Sequence, residues 1–123
     1  MKNDNEKFKA EFKKRLYDWV LKLIRFVDKL PKDSASTIIV NQLSRSGTSV
    51  LANYVEAGVA SSKKDFINFF HHSLKSANES KMWLALLRDA GKGSREEIES
   101  LLDELIQLAN ILGSSILTLK GRR

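Results

Sequence analysis

The chain has 123 residues, 42% hydrophobic and 29% charged, with no cysteine, one proline and a formal net charge of +6 at pH 7. This length suits one compact domain over residues 1–123, and the missing cysteines exclude disulfides, thiolate metal sites and a cysteine nucleophile. No apolar run approaches the roughly 20 residues that span a bilayer and none follows the polar start, so membrane insertion and secretion are not expected and the cytoplasm is.

Phe8, Phe12, Leu16, Trp19, Leu23, Phe26 and Leu30 recur at steps of three and four, the spacing of an amphipathic helix rather than of a strand. Lys7, Lys9, Lys13, Lys14, Arg15, Lys22, Arg25 and Lys29 occupy its other side, interrupted by Glu11, Asp18 and Asp28. That side is either a phosphate-binding surface or an ordinary solvated one. Pro31 ends the helix at Leu30, and Asp33 or Ser34 can cap the next.

The second helix is expected from about Ser34 to Ala57, and its charge is unusual. Between Ser34 and Ser62 only Arg45 and Glu56 are charged. At 100° per residue, Gln42, Ser46, Ser49, Asn53 and Glu56 fall within about 40° of one mean direction, with Arg45 beside them. Ile39, Leu43, Val50 and Ala57 take the adjoining arc. A solvated face ordinarily collects Lys and Glu, so this stripe predicts a buried or half-buried hydrogen-bonded seam; an uncharged solvated face is the alternative.

Gly58 to Ser62 reads as a turn, with Ser62 and Asp65 forming a capping pair for a third helix that runs to about Asp89. Phe66, Phe69, Phe70, Ala77, Leu84 and Leu87 are its core-facing candidates, and Trp19 and Trp83 are expected to be buried. Gly91 and Gly93 break the pattern. Ser94 and Glu97 then form a full capping box before Ile98, Leu101, Leu102, Leu105, Leu108, Leu112, Ile116 and Leu119, in register until Gly121.

Four long helices with short connections predict an all-α, antiparallel up-down four-helix bundle. Folding back about a turn near residue 61 sets Arg45 level with the stretch from Ser76 to Glu79, and Glu56 level with Lys63 to Phe66. Arg45 and Glu56 lie roughly 16 Å apart along the axis, too far to pair with each other. Arg45 is therefore expected to meet Glu79, and Glu56 the amides or lysines that open the third helix. If such a pair is buried, breaking one side costs about 3–5 kcal/mol.

Little in the chain points to catalysis. His71 and His72 diverge by about 100° on a helix and lack neighbours at metal-ligand spacing, so no metal and no cofactor is expected. Neither a Gly-x-Ser-x-Gly elbow nor a phosphate-binding glycine loop is present, so a non-enzyme is expected. Regional charge says more: residues 1–33 carry net +4, 34–62 net 0, 63–93 net +3 and 94–123 net −1.

The run Gln42-Leu-Ser-Arg45-Ser46, followed by Ser49, Asn53, Glu56-Ala-Gly58, Phe66, Phe69 and Ser76-Ala-Asn-Glu79, resembles the four-helix-bundle proteins encoded in intervening sequences of bacterial 23S ribosomal RNA genes. The likeness spans nearly the whole chain. Those proteins are similar in fold to the accessory variability protein of diversity-generating retroelements, a basic pentameric barrel that binds reverse transcriptase and nucleic acid. The resemblance implies a homopentamer and an RNA or DNA partner. Where the family has an Ala-x-Gly-Ser run this chain has Ser73-Leu-Lys75-Ser76, and Ser80 stands where Leu commonly follows the Glu. Lys75 in place of a small residue argues against close helix contact at that point and for added positive charge on an exposed or lumenal face.

The functional expectation is a homo-oligomeric bundle that docks phosphates through Lys13, Lys14, Arg15, Lys22, Arg25, Lys63, Lys64, Lys75, Arg122 and Arg123. The alternative is an adaptor whose seam of Gln42, Arg45, Ser46, Ser49, Asn53, Glu56, Ser76 and Glu79 binds another protein.

Overall fold

The computed structural model describes residues 3–121, which form four α-helices: α1 (Asp4–Val27), α2 (Ser34–Ala57), α3 (Lys63–Asp89) and α4 (Arg95–Leu119). Each start is fixed by a side-chain oxygen that accepts from a free amide of the first turn. Asp33 accepts from the Ser36 amide at 2.9 Å, Ser62 from Asp65 at 3.1 Å and Ser94 from Glu97 at 3.2 Å, as the sequence predicts. Asn3 caps α1 in the same way at 2.8 Å.

Each helix packs only on its neighbours in the ring: α1 on α2 and α4, and α3 on α2 and α4, with the α2–α3 interface the most extensive. That is the up-down arrangement short connections dictate. The core is built from the periodic residues of α1 and α4 together with Leu43, Val50, Phe70, Ala77, Leu84 and Leu87. Trp19 is 1% exposed and donates its indole N–H to the Leu101 carbonyl at 2.9 Å, tying α1 to α4. Trp83 is half-buried at the rim of α3, so its expected burial is only partly met.

Two glycines permit the close approaches. Gly93, at φ +84°, turns the chain between α3 and α4 and lies against Leu30 and Phe26. Gly47 faces α1, where an added Cβ would run into the Leu23 side chain and sit 3.5 Å from the Trp19 ring. Replacing a helical Gly by Ala ordinarily gains about 1 kcal/mol. At position 47 overpacking costs about 1–3 kcal/mol, so Gly47→Ala is expected to destabilise by about 1 kcal/mol in urea denaturation followed by circular dichroism. An increase in stability would show that α1 and α2 are not in close contact there.

Candidate functional site

The predicted stripe divides into a dry ladder and a wet rim. Ser46 and Ser80 are fully buried, with their hydroxyl oxygens 2.7 Å apart across α2 and α3. Ser80 donates to the Ser76 carbonyl at 2.9 Å, so Ser46 supplies the proton between them. Ser76 donates to the Ser49 hydroxyl at 3.0 Å, and that oxygen also accepts from the Asn53 amide at 2.9 Å. Ser73, also buried, donates to the Val50 carbonyl at 2.7 Å. Among the described residues no buried side-chain polar atom lacks a partner. Satisfied hydroxyls of this size let two helices run close without the cost of stranded polar groups.

At the rim Arg45 pairs with Glu79, as its level on α2 predicts, and Gln42 accepts from Arg45 at 3.1 Å. Glu79 also accepts from the Trp83 indole at 3.0 Å. The Arg45 side chain is 57% exposed and that of Glu79 31%, which corrects the expectation of a buried pair. Solvent screens such a contact, so a double-mutant cycle over Arg45→Ala and Glu79→Ala should give a coupling of about 0–1 kcal/mol rather than about 3–5. A coupling above about 2 kcal/mol would restore the buried-charge view.

Glu56 is a second correction. Its side chain is exposed and makes no hydrogen bond or ion pair among the described residues, so it does not meet the start of α3. Lys63 and Lys64 turn instead toward Lys120 on α4, on the side away from α2. The stripe from Gln42 to Glu56 is therefore shielded only in part: Ser46 is buried, Gln42, Ser49 and Asn53 are half-buried, and Arg45 and Glu56 are open. Lys75 points to solvent, and close helix contact persists beside it through Ser73, Ser76 and Ala77.

Ser73 and Ser80 belong to the ladder but are absent from the sequence-derived seam. The signal was present, since both lie within one turn of Ser76 on the α2-facing side of α3.

The structure also sorts the candidate phosphate-binding cations. Arg15 is held by both oxygens of Glu104, at 2.9 and 2.6 Å, and that carboxylate raises its pKa further. Lys14 pairs with Asp18 at 2.7 Å, and Lys22 donates to Ser100 at 3.1 Å. Lys13 and Arg25 are exposed, while Arg122 and Arg123 lie outside the described residues. Within α1 only Arg15 is thus met by an α4 carboxylate; Lys14 pairs inside the helix, Lys22 bonds a hydroxyl, and Lys13 and Arg25 have no carboxylate within ion-pair distance among the described residues.

More ion pairs gather where α1 ends and α4 begins: Lys29 with Glu97, Lys92 with Asp33, and Arg88 with Asp89 and Glu99. The Ser36 amide and then Lys92 lower the pKa of Asp33, and Arg88 does the same for Asp89, so both stay ionised to lower pH than a free carboxylate. At the opposite end Lys63, Lys64 and Lys120 line one hollow with His71, and none of the three has a carboxylate within ion-pair distance among the described residues. Lys120 is absent from the sequence-derived set, although the up-down topology predicted there already brings the end of α4 beside the start of α3.

No described helix is long and apolar enough to cross a membrane. Among these residues no three His, Cys, Asp or Glu side chains converge as a metal site would require.

Comparison with known proteins bears on this geometry. A family profile described as 23S rRNA-intervening sequence protein matches residues 9–114. A crystal structure of a protein of unknown function from the S23 ribosomal protein family of Bacteroides thetaiotaomicron superposes with a TM-score of 0.80 at 32% identity, covering 85% of this chain and 97% of that one. A search among curated proteins returned no match.

Proposed function

The chain belongs to the 23S rRNA-intervening sequence protein family, and from that premise we propose that it is a non-enzymatic, self-assembling cytoplasmic bundle that binds nucleic acid electrostatically. The observation that carries this reading is the division of surface charge. At the α1–α4 junction Arg15 and Lys29 are held by carboxylates, whereas Lys63, Lys64 and Lys120 at the other end have none within ion-pair distance among the described residues. Unmatched lysines can neutralise backbone phosphates and so release the counterions condensed on the nucleic acid.

The outer face of α2 supports self-assembly. Ile38 and Val55 are exposed on α2, Val59 is exposed in the turn that follows, and Arg45 and Glu56 are the only charges of α2. Copies of a chain with net charge +6 repel one another elsewhere and meet on this face with least repulsion. The homopentamer implied by the family resemblance belongs to this proposal. The same face favours the second reading, an adaptor that docks another protein.

With about five phosphates contacted on a single strand, log affinity should fall with log salt at a slope of about −3.5, or roughly 100-fold between 50 and 200 mM. Fluorescence anisotropy with labelled RNA and DNA oligonucleotides, beside native mass spectrometry of nuclease-treated protein, reads both parts. A complex indifferent to salt, or none at 50 mM, overturns the nucleic-acid reading. A monomer at every concentration overturns assembly and leaves the first part standing.

A further inference from the structure

A groove follows the outer junction of α3 and α4, away from both the serine ladder and the α1 lysines. Near the start of α3 it is walled by Lys63, Lys64, His71 and Lys120, with Ile67 between them. One turn further along the same junction a second hollow lies over Leu74, Gly113 and Leu117, flanked by Asn78, Lys81 and Asn110. Among the described residues no carboxylate lines either stretch. The acids of α4, Glu96, Glu99, Asp103 and Glu104, line a separate hollow nearer its start.

We propose that this α3–α4 groove is a site for single-stranded nucleic acid. The proposal rests on the nucleic-acid reading above and adds the place and the strand form. From Lys64 to Lys81 the two hollows follow α3 for about 25 Å, room for a short strand of about four nucleotides, the low end of the site sizes of single-strand-binding OB folds. Its lysines stand at the two ends and along the walls, where a backbone would lie. Between them are an apolar floor and carboxamides, which suit unstacked base faces and base edges. The His71 ring adds a flat surface on which a base can stack.

Two adjacent helices lie only about 8–10 Å apart, so a duplex would rest on the rim and leave the apolar floor uncovered. Charge favours nucleic acid over an acidic peptide less sharply, because both are polyanions. The apolar floor and the ring decide for bases.

Gly113 supplies a clean test. A Cβ there would touch only Leu74, at 3.9 Å, so a larger side chain fits the fold and enters the groove. Gly113→Glu places a carboxylate on the floor while raising helix propensity. Anisotropy with labelled 12-mer oligo(U), oligo(dT) and an RNA duplex of equal length should be run on the native chain, Gly113→Glu, Lys64→Glu and Lys13→Glu. Circular dichroism should confirm that each variant is folded.

The groove predicts at least tenfold weaker single-strand binding for Gly113→Glu and Lys64→Glu, and less than threefold for Lys13→Glu on α1. It also predicts tighter binding of single strands than of duplex. Equal losses at positions 13 and 113, a preference for duplex, or equal competition by poly-glutamate would each overturn the groove assignment while leaving nucleic-acid binding intact. A native chain that binds no oligonucleotide at 50 mM salt would overturn the broader reading along with it.

Discussion

Trp19→Ala is expected to lower the unfolding free energy by about 3–5 kcal/mol. The indole is 1% exposed, packs beside Gly47 of α2 and bonds the Leu101 carbonyl of α4, so three helices converge on it. Truncation opens a cavity that none of these helices can fill without breaking its other contacts. A domain of this size has about 5–15 kcal/mol in total, so the variant should be folded only marginally. Urea denaturation followed by circular dichroism measures this, with Trp19→Phe as an intermediate that keeps most of the volume and loses the hydrogen bond. A loss below about 1 kcal/mol for the alanine variant would mean that α1 does not dock through this residue.

Ser80→Leu should cost about 3 kcal/mol, through two additive effects. The added methylenes overfill a contact where hydroxyls of α2 and α3 bond directly, worth about 1–3 kcal/mol. The change also leaves the buried Ser46 hydroxyl with only the Leu43 carbonyl, at 3.4 Å, where a poorly satisfied polar group costs up to about 1–3 kcal/mol. Ser46→Ala introduced into the Ser80→Leu background removes the poorly bonded group and some of the bulk, so at least about 1 kcal/mol should return. Contacting pairs couple by about 0.5–3 kcal/mol, whereas independent sites simply add. Strict additivity in this cycle would show that the two serines do not share one packed contact.

The helix starts were legible because capping is a local matter: Asp33, Ser62 and Ser94 each sit three residues before an amide they bond. Arg45 meeting Glu79 was legible for a related reason. Once two helices are antiparallel and joined by a short turn, residue levels follow from the rise per residue. The fate of Glu56 was not legible. Level alone placed it near Lys63 and Lys64, but those side chains leave α3 on the α4 side.

The α1 lysines show the same limit from another direction. Their spacing marks a basic face, and nothing within α1 reveals that Glu104 stands opposite Arg15 or that Glu97 meets Lys29 just past the helix. Ser73 and Ser80 looked like departures from a family pattern, yet they are rungs of the serine ladder because α2 lies close enough to supply Val50 and Ser46 as partners.

By itself, the sequence determined which segments are helices, where they begin, the order in which they fold back and the side of each that is apolar. These follow from periodicity, capping and loop length, which act within a few residues of one another. Tertiary structure alone decided how each helix is rotated about its axis, which cations are neutralised by a neighbour, and that α3 and α4 together form a lysine-walled groove. Rotation is set where Gly47 admits Leu23 and Trp19 and where Ser46 reaches Ser80, contacts between residues far apart in the chain. Such contacts depend on the shapes of two surfaces at once, and no single helix carries that information.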